Sequence, residues 1–461
     1  MRTALLAAAA AVLSALPAAA QAPAVPTLPA EPTLLRDLPA QVSTERLRAD
    51  IARMVAFGTR HTLSDAKSEK RGIGAARRWV AAEFGAIARD CGGCLTIATP
   101  SAVVTAPPRV PTPTEIVDVL AIQRGTSDPN RVVIISGHLD SRVTDVMDFK
   151  SDAPGANDDA SGVAAVIEAA RVLSRHRFGA TIVYAALSGE EQGLHGGKIL
   201  ADYARQQGWQ VVANLNNDIV GNTEGIGGAR DNTHVRVFSE GTKATETPEE
   251  ANRRRYNGGE VDSPSRQVAR YLDGLADRYL ANLDVVMVYR TDRFSRGGDQ
   301  VRMLEAGFPA VRITEAVENY NRQHQDLRTE KGIRFGDTID GVDFPYLAQV
   351  TRLNILGLAA LAAAPAPPTG VEISGAVSAD TTVKWTPAPD AVAYRVWWRG
   401  TTDPTWRYSR LVPPTGETKL AGVNIDDWFF GVSAVGRDGH ESPVVFPGVP
   451  GRWAHEAPKA P

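Results

Sequence analysis

The chain has 461 residues, enough for two or three domains, and its 43% hydrophobic and 22% charged content is a globular balance that excludes a disordered chain or a coiled coil. Fifty Lys and Arg against 53 Asp and Glu leave a net charge of −3 with no long basic run, so non-specific nucleic-acid binding through a positive face is excluded. Two cysteines cannot build a disulfide-dense scaffold.

The N-terminus reads as an export signal over residues 1–20. Arg2 supplies the charge, Leu5 to Leu16 the apolar stretch, and Ala18-Ala19-Ala20 a small-residue cleavage site. Pro17 breaks the run, which is too short for a membrane anchor, and no spanning helix is expected in the mature protein. The expected location is periplasmic or secreted. Residues 21–42 are Pro-rich and are expected to be an extended linker or pro-segment. Export places Cys91 and Cys94 in an oxidising compartment, where Cys91-Gly92-Gly93-Cys94 most simply closes a small disulfide loop.

Residues 43–363 alternate between helical and strand patterns. Helices are expected near Thr44, Asp65 and Ser161, and again over about residues 340–363. Buried strands are expected at Arg131–Ile135, Thr181–Leu187, Val211–Leu215, Val235–Phe238, Val285–Tyr289 and Ala310–Ile313. This alternation predicts an α/β fold with a mixed, largely parallel sheet sandwiched by helices. Residues 243–263 are polar and read as a surface insertion. Residues 364–370 form a Pro-rich linker, and residues 371–453 change to short strands with frequent turns, the pattern of a small all-β sandwich. Trp385, Tyr394-Arg395-Val396 and the run from Phe430 to Val435 give that segment a resemblance to a fibronectin type III domain. It is expected to be an accessory module whose ligand the sequence does not identify.

The chemistry lies upstream of the linker. Ser136-Gly137-His138-Leu139-Asp140 follows one strand, and Gly155-Ala156-Asn157-Asp158-Asp159-Ala160-Ser161-Gly162 leads into a helix. Ser188-Gly189-Glu190-Glu191-Gln192-Gly193 and Asn216-Asn217-Asp218 each follow another strand, and Gln323-His324-Gln325-Asp326 comes after the last. Loops at the carboxyl ends of parallel strands gather at one sheet edge, so these segments should converge. Acids gathered there repel unless something positive sits among them. Two zinc ions would supply it, and a mixed His and carboxylate donor set suits zinc better than calcium or magnesium.

The ordered set His-x-Asp, Asn-Asp-Asp-Ala-Ser-Gly, Glu-Glu-x-Gly, Asn-Asp and a late His resembles the M28 family of di-zinc aminopeptidases. The resemblance implies a zinc-exopeptidase fold over residues 43–363 and two Zn2+ ions as cofactors. It implies that Asp158 bridges both metals, that Glu191 and His324 complete one, and that His138 and Asp218 complete the other. Glu190 matches the family's general base, and Asp140 the carboxylate that orients the His138 ring. A cis bond between Asp158 and Asp159 is implied as well. Gly298-Asp299-Gln300 resembles the family's Ser-Asp-His, with Gln300 in place of the His, a departure expected to alter substrate contacts. The last ligand also departs from the family's usual His-Thr-x-x-Asp.

The expected activity is hydrolysis of N-terminal residues from peptides by a metal-bound hydroxide, with Glu190 as general base. Partners are then peptides with a free N-terminus, with no nucleic acid. Carboxypeptidase or dipeptidase action, for which Arg293, Arg296 and Arg302 could form a cationic pocket, and glutaminyl cyclase action are the alternatives. A non-catalytic adhesion protein is disfavoured because all five ligands and the base are present.

Overall fold

The computed structural model describes Thr27 and residues 32–453. The export signal and much of the Pro-rich stretch lie outside the described residues. The described end of that stretch is not extended: Thr33–Asp37 forms a short helix, α1, and Pro39–Gln41 a 3-10 turn. Leu35, Leu38 and Val42 are buried in the main core, and Arg352 Nε donates to the Pro39 carbonyl. Apolar residues spaced three and four apart give these residues a face to bury, which outweighs their proline content.

Helices α2 (Thr44–Val55) and α3 (Gly72–Asp90) come next, and α3 ends at the Cys91–Cys94 disulfide. Four strands then appear that the sequence pattern did not reveal: β1 (Leu95–Ala98), β2 (Ser101–Ala106), β3 (Val110–Val117) and β4 (Val119–Gln123). β2 and β3 form a separate hairpin in which Pro111 and Pro113 are tolerated, as they would not be within a central strand. The alternating part runs β5 (Asp128–His138), α4 (Ala160–Leu173), β6 (Ala180–Leu187), α5 (His195–Gln206), β7 (Gln210–Asn217) and β8 (His234–Phe238). It continues through α6 (Pro248–Asn257), α7 (Pro264–Tyr279), β9 (Asp284–Val288), α8 (Gln300–Glu305) and β10 (Ala310–Glu315). A small hairpin, β11 (Arg328–Glu330) with β12 (Ile333–Phe335), precedes the long helix α9 (Phe344–Ala363).

The main sheet has eight strands in the order β1-β4-β6-β5-β7-β10-β8-β9. Its centre, β6-β5-β7-β10, is parallel, and β4 and β8 flank it antiparallel. Alternation along β5 feeds two cores. Val133 and Ile135 pack with α2, α4, α7 and α9, whereas Val132 and Ile134 pack with Leu200, Ala204, Met303 and Leu304 of α5 and α8. Helix α9 is long and apolar enough to cross a membrane, a second apolar run beyond the N-terminal one that the sequence pattern brought out. It is mostly buried against α4 and β5, the place of a core helix. The polar insertion is also more ordered than expected, since a capping box between Thr247 and Glu250 starts α6.

The C-terminal part contains β13 (Thr369–Ser374), β14 (Thr381–Thr386), β15 (Ala393–Gly400), β16 (Tyr408–Val412), β17 (Glu417–Leu420) and β18 (Trp428–Val435). They form two three-stranded antiparallel sheets, β13-β14-β17 and β16-β15-β18, with Trp385 and Tyr394 packed between them. This body is not strung loosely from its linker. Asp262, fully buried, accepts from Arg399 of β15 through both oxygens (2.8 and 2.9 Å) and from Arg270 of α7 (2.8 Å). Trp406 donates to Gln267, Tyr271 to the Glu441 carbonyl, and Lys243 to the Val449 carbonyl. The sandwich is part of one packed molecule.

Candidate metal centre

The four parallel strands deliver the predicted residues to one edge. His138 is the last residue of β5, Glu190 and Glu191 follow β6, and Asp218 follows β7. Asp158 precedes α4, and His324 lies in the loop after β10. All five predicted ligands come together in two clusters, His138–Asp158–Asp218 and Asp158–Glu191–His324, whose ligand atoms lie within 4.8 Å of one another. Asp158 belongs to both. Its Oδ1 is 3.1 Å from His138 Nε2, and its Oδ2 is 2.9 Å from His324 Nε2. His324 Nε2 is 3.0 Å from Glu191 Oε1, and His138 Nε2 is 3.9 Å from Asp218 Oδ1.

Buried backbone bonds hold these groups in place. Asp159 caps α4, accepting from Gly162 N, and also accepts from Ile219 N and His138 N, tying three ligand segments together. The bond between Asp158 and Asp159 is cis. Asp337 accepts from Asn157 N and Asp158 N, and burial pushes its carboxyl up to about 7. Asp140 faces the His138 ring through both its backbone and its side chain. The ring Nδ1 contacts the Asp140 backbone carbonyl at 3.0 Å, and the carboxylate stands 3.6 Å away. That carboxylate also collects the N–H groups of Gly189, Glu190 and Glu191 and the Thr62 hydroxyl. It fixes the Glu190-Glu191 turn.

The electrostatics show what the site lacks. Burial opposes a charge on either imidazole, yet the carboxylates win, raising His138 well above its ordinary value and His324 to about 10. Burial lifts the Glu190 carboxyl well above its usual range, and Glu191, Asp218 and Asp299 push the same way. Glu191 Oε1 is buried, with the His324 ring as its neighbour at 3.0 Å. The cluster is short of positive charge, and its donors, two imidazoles and three carboxylates, fit zinc.

Two arginines at this edge carried no signal in the sequence. Arg142 Nε donates to Glu191 Oε2 at 2.8 Å, and its Nη2 lies 2.6 Å from His324 Nδ1. Arg312, fully buried, donates to Asp218 Oδ2. Burial works against ionisation of Asp218, but the Arg312 charge more than offsets it and holds the carboxyl well below its ordinary value. Gln300, expected to touch substrate, is instead fully buried and donates to Asp292 at 2.6 Å.

A mixed α/β sheet with paired His and carboxylate clusters at its carboxyl edge defines a zinc hydrolase. The sequence comparisons specify the family. Residues 118–335 match the profile of Peptidase family M28. A "Probable zinc metalloprotease" of Leptosphaeria maculans is 44% identical over 88% of this chain and 95% of that protein. Another of the same description from Pyricularia oryzae is 41% identical over 88% of this chain and 83% of its own length. The chain belongs to peptidase family M28 and is a zinc metallopeptidase. The Legionella pneumophila LapA aminopeptidase is similar in fold, with a TM-score of 0.52 and 17% identity over 75% of this chain and 78% of that one.

Proposed function

We propose that the protein is an exported di-zinc aminopeptidase that removes N-terminal residues from peptides. The observation that carries this reading is the position of Asp158, whose two oxygens each face a separate His and carboxylate cluster. His138 and Asp218 would hold one ion, Glu191 and His324 the other, and Asp158 both. When bound, zinc supplies Lewis acidity that polarises the scissile carbonyl and lowers the pKa of water toward ~7. Glu190 takes the proton of the attacking water on its carboxylate and returns it to the leaving amine. Asp140 holds the Glu190 backbone so that its carboxylate faces the reacting atoms, while Asp159 and Asp337 fix the turn that presents Asp158. The surrounding acids favour a substrate that brings a positive charge, which a free α-ammonium does.

Carboxypeptidase action is less well supported, because the arginines that could receive a substrate carboxylate are already paired with acids. Arg293 pairs with Asp292 and Glu318, and Arg296 also pairs with Glu318. The C-terminal sandwich is read as fibronectin type III-like, and export to the periplasm or medium agrees with the Cys91–Cys94 disulfide. The test is a panel of aminoacyl p-nitroanilides and dipeptides, each with its N-terminus free or acetylated. Cleavage of the free forms alone is expected. Equal cleavage of acetylated substrates would overturn the aminopeptidase reading.

A further inference from the structure

Behind Asp218 runs a buried chain of side chains. Arg312 of β10 donates to Asp218 Oδ2 and, at 3.4 Å, to the Asp218 carbonyl. Its other neighbour is Asp292 Oδ2, 3.7 Å from Nη1. Asp292 in turn accepts from Gln300 Nε2 at 2.6 Å, and Gln300 Oε1 accepts from Asn216 of β7 at 3.2 Å. Asp218, Asp292, Gln300 and Arg312 are all buried, and the last two have no exposure at all. The run Gly298-Asp299-Gln300 packs against this guanidinium. A Cβ on Gly298 would lie 2.7 Å from Arg312 Nη1 and 2.6 Å from Gln300 Oε1, so glycine leaves the room the guanidinium occupies. Gln300 keeps Asp292 at the rear of that guanidinium.

We infer that Arg312, backed by Asp292 and Gln300, is a positioning residue for Asp218 that also weakens zinc binding at the His138–Asp218 half of the centre. Two physical effects act together. Oδ2 of Asp218 is spent on Arg312, so only Oδ1 is turned toward His138 and Asp218 can offer an ion a single oxygen. A permanent guanidinium charge against a ligand carboxylate, in a site without solvent screening, repels a divalent cation. Asp292 limits that repulsion from the far side. Arg293, with Nη2 3.9 Å from Asp218 Oδ2 and Nε 3.1 Å from Asp292 Oδ1, adds a second guanidinium on the same side, so Asp292 is the counter-charge to both.

The inference rests on the two-metal reading, and zinc titration of the full-length protein stripped by chelator tests the two separately. The unmodified protein should take up two zinc ions. Arg312→Met should bind one of them at least about tenfold more tightly, because Asp218 regains its full charge toward the ion. Asp292→Asn should bind the same ion several-fold more weakly, because Arg312 and Arg293 then act on Asp218 without the counter-charge they share. Opposite shifts are the signature, since a purely structural role predicts weaker binding in both variants. Thermal melting confirms that each variant is folded, and if Arg312→Met is not, Arg312→Gln takes its place, with the same tighter binding expected and weaker or unchanged binding again overturning the inference. Weaker or unchanged binding in folded Arg312→Met, or tighter binding in Asp292→Asn, would overturn the inference. Uptake of a single ion by the unmodified protein would overturn the two-metal reading, and the direction of the two shifts at that one site would still decide the role of Arg312.

Discussion

Two clusters of buried charge in this molecule obey different rules. At the junction with the β-sandwich, Asp262 receives Arg399 on both oxygens and Arg270 and Gln267 besides, so the carboxylate is saturated. At the sheet edge, three carboxylates and the nearby Glu190 share two imidazoles and two arginines, and Asp158 alone lies between both imidazoles. A charge buried for structure is closed by the protein itself. A charge buried for chemistry is left for something else to close.

The largest effect that could break this comparison is at Glu190. Its replacement by Gln keeps shape and leaves the proposed ligands untouched, so zinc content should be unchanged while turnover falls ~10²–10⁴-fold. Glu191→Ala should instead deplete zinc, because it removes a donor. Zinc lost as readily from Glu190→Gln as from Glu191→Ala would show that the two glutamates have been assigned the wrong way round.

The junction gives the next effect. Asp262→Ala leaves Arg399 and Arg270 buried without their counter-charge and should cost about 3–5 kcal/mol in denaturant unfolding. Deleting the chain after Pro365 should likewise destabilise the larger domain, since it strips partners from Asp262, Gln267 and Tyr271 together. A truncated protein as stable as the whole would mean the junction charges carry no structural weight.

A smaller effect sharpens the same distinction with pH. Asp50 on α2 is half-buried, and burial, then the charges of Glu83 and Glu168, raise its carboxyl to about 7 against the pull of Arg46 and Arg171. Between its ordinary 3.8 and about 7 the folded protein holds this proton and the unfolded chain has lost it. Stability contributed by Asp50 therefore falls as pH rises through that window and stays reduced above it. Asp50→Asn should remove the slope and gain on the order of 1–2 kcal/mol at pH 8. Urea midpoints across pH 5 to 8 that shift in parallel for both proteins would contradict this.

The parts of the molecule that the sequence made legible share a cause. Parallel strands ending in His138, Glu190-Glu191 and Asp218 announce themselves because apolar runs and the polar residues after them are local features. What escaped was tertiary. Arg142 finds Glu191 49 positions away, Arg312 finds Asp218 across 94, and Arg399 finds Asp262 across 137. No local pattern encodes such pairs. The strand β1 escaped because it is only four residues long, and in β3 Pro111 and Pro113 mask the alternation. Residues 33–42 read as linker because their proline content hides the spacing of Leu35, Leu38 and Val42. Gln300 was placed by a motif resemblance that could not show which way its side chain faces.

The central claim is that one carboxylate, Asp158, is shared by two zinc ions, and zinc content measured by mass spectrometry on folded variants tests it most directly. The unmodified protein should carry two zinc ions per chain, Asp218→Ala and His324→Ala one each, and Asp158→Ala essentially none. An Asp158→Ala protein that folds and retains a full equivalent of zinc would contradict the account.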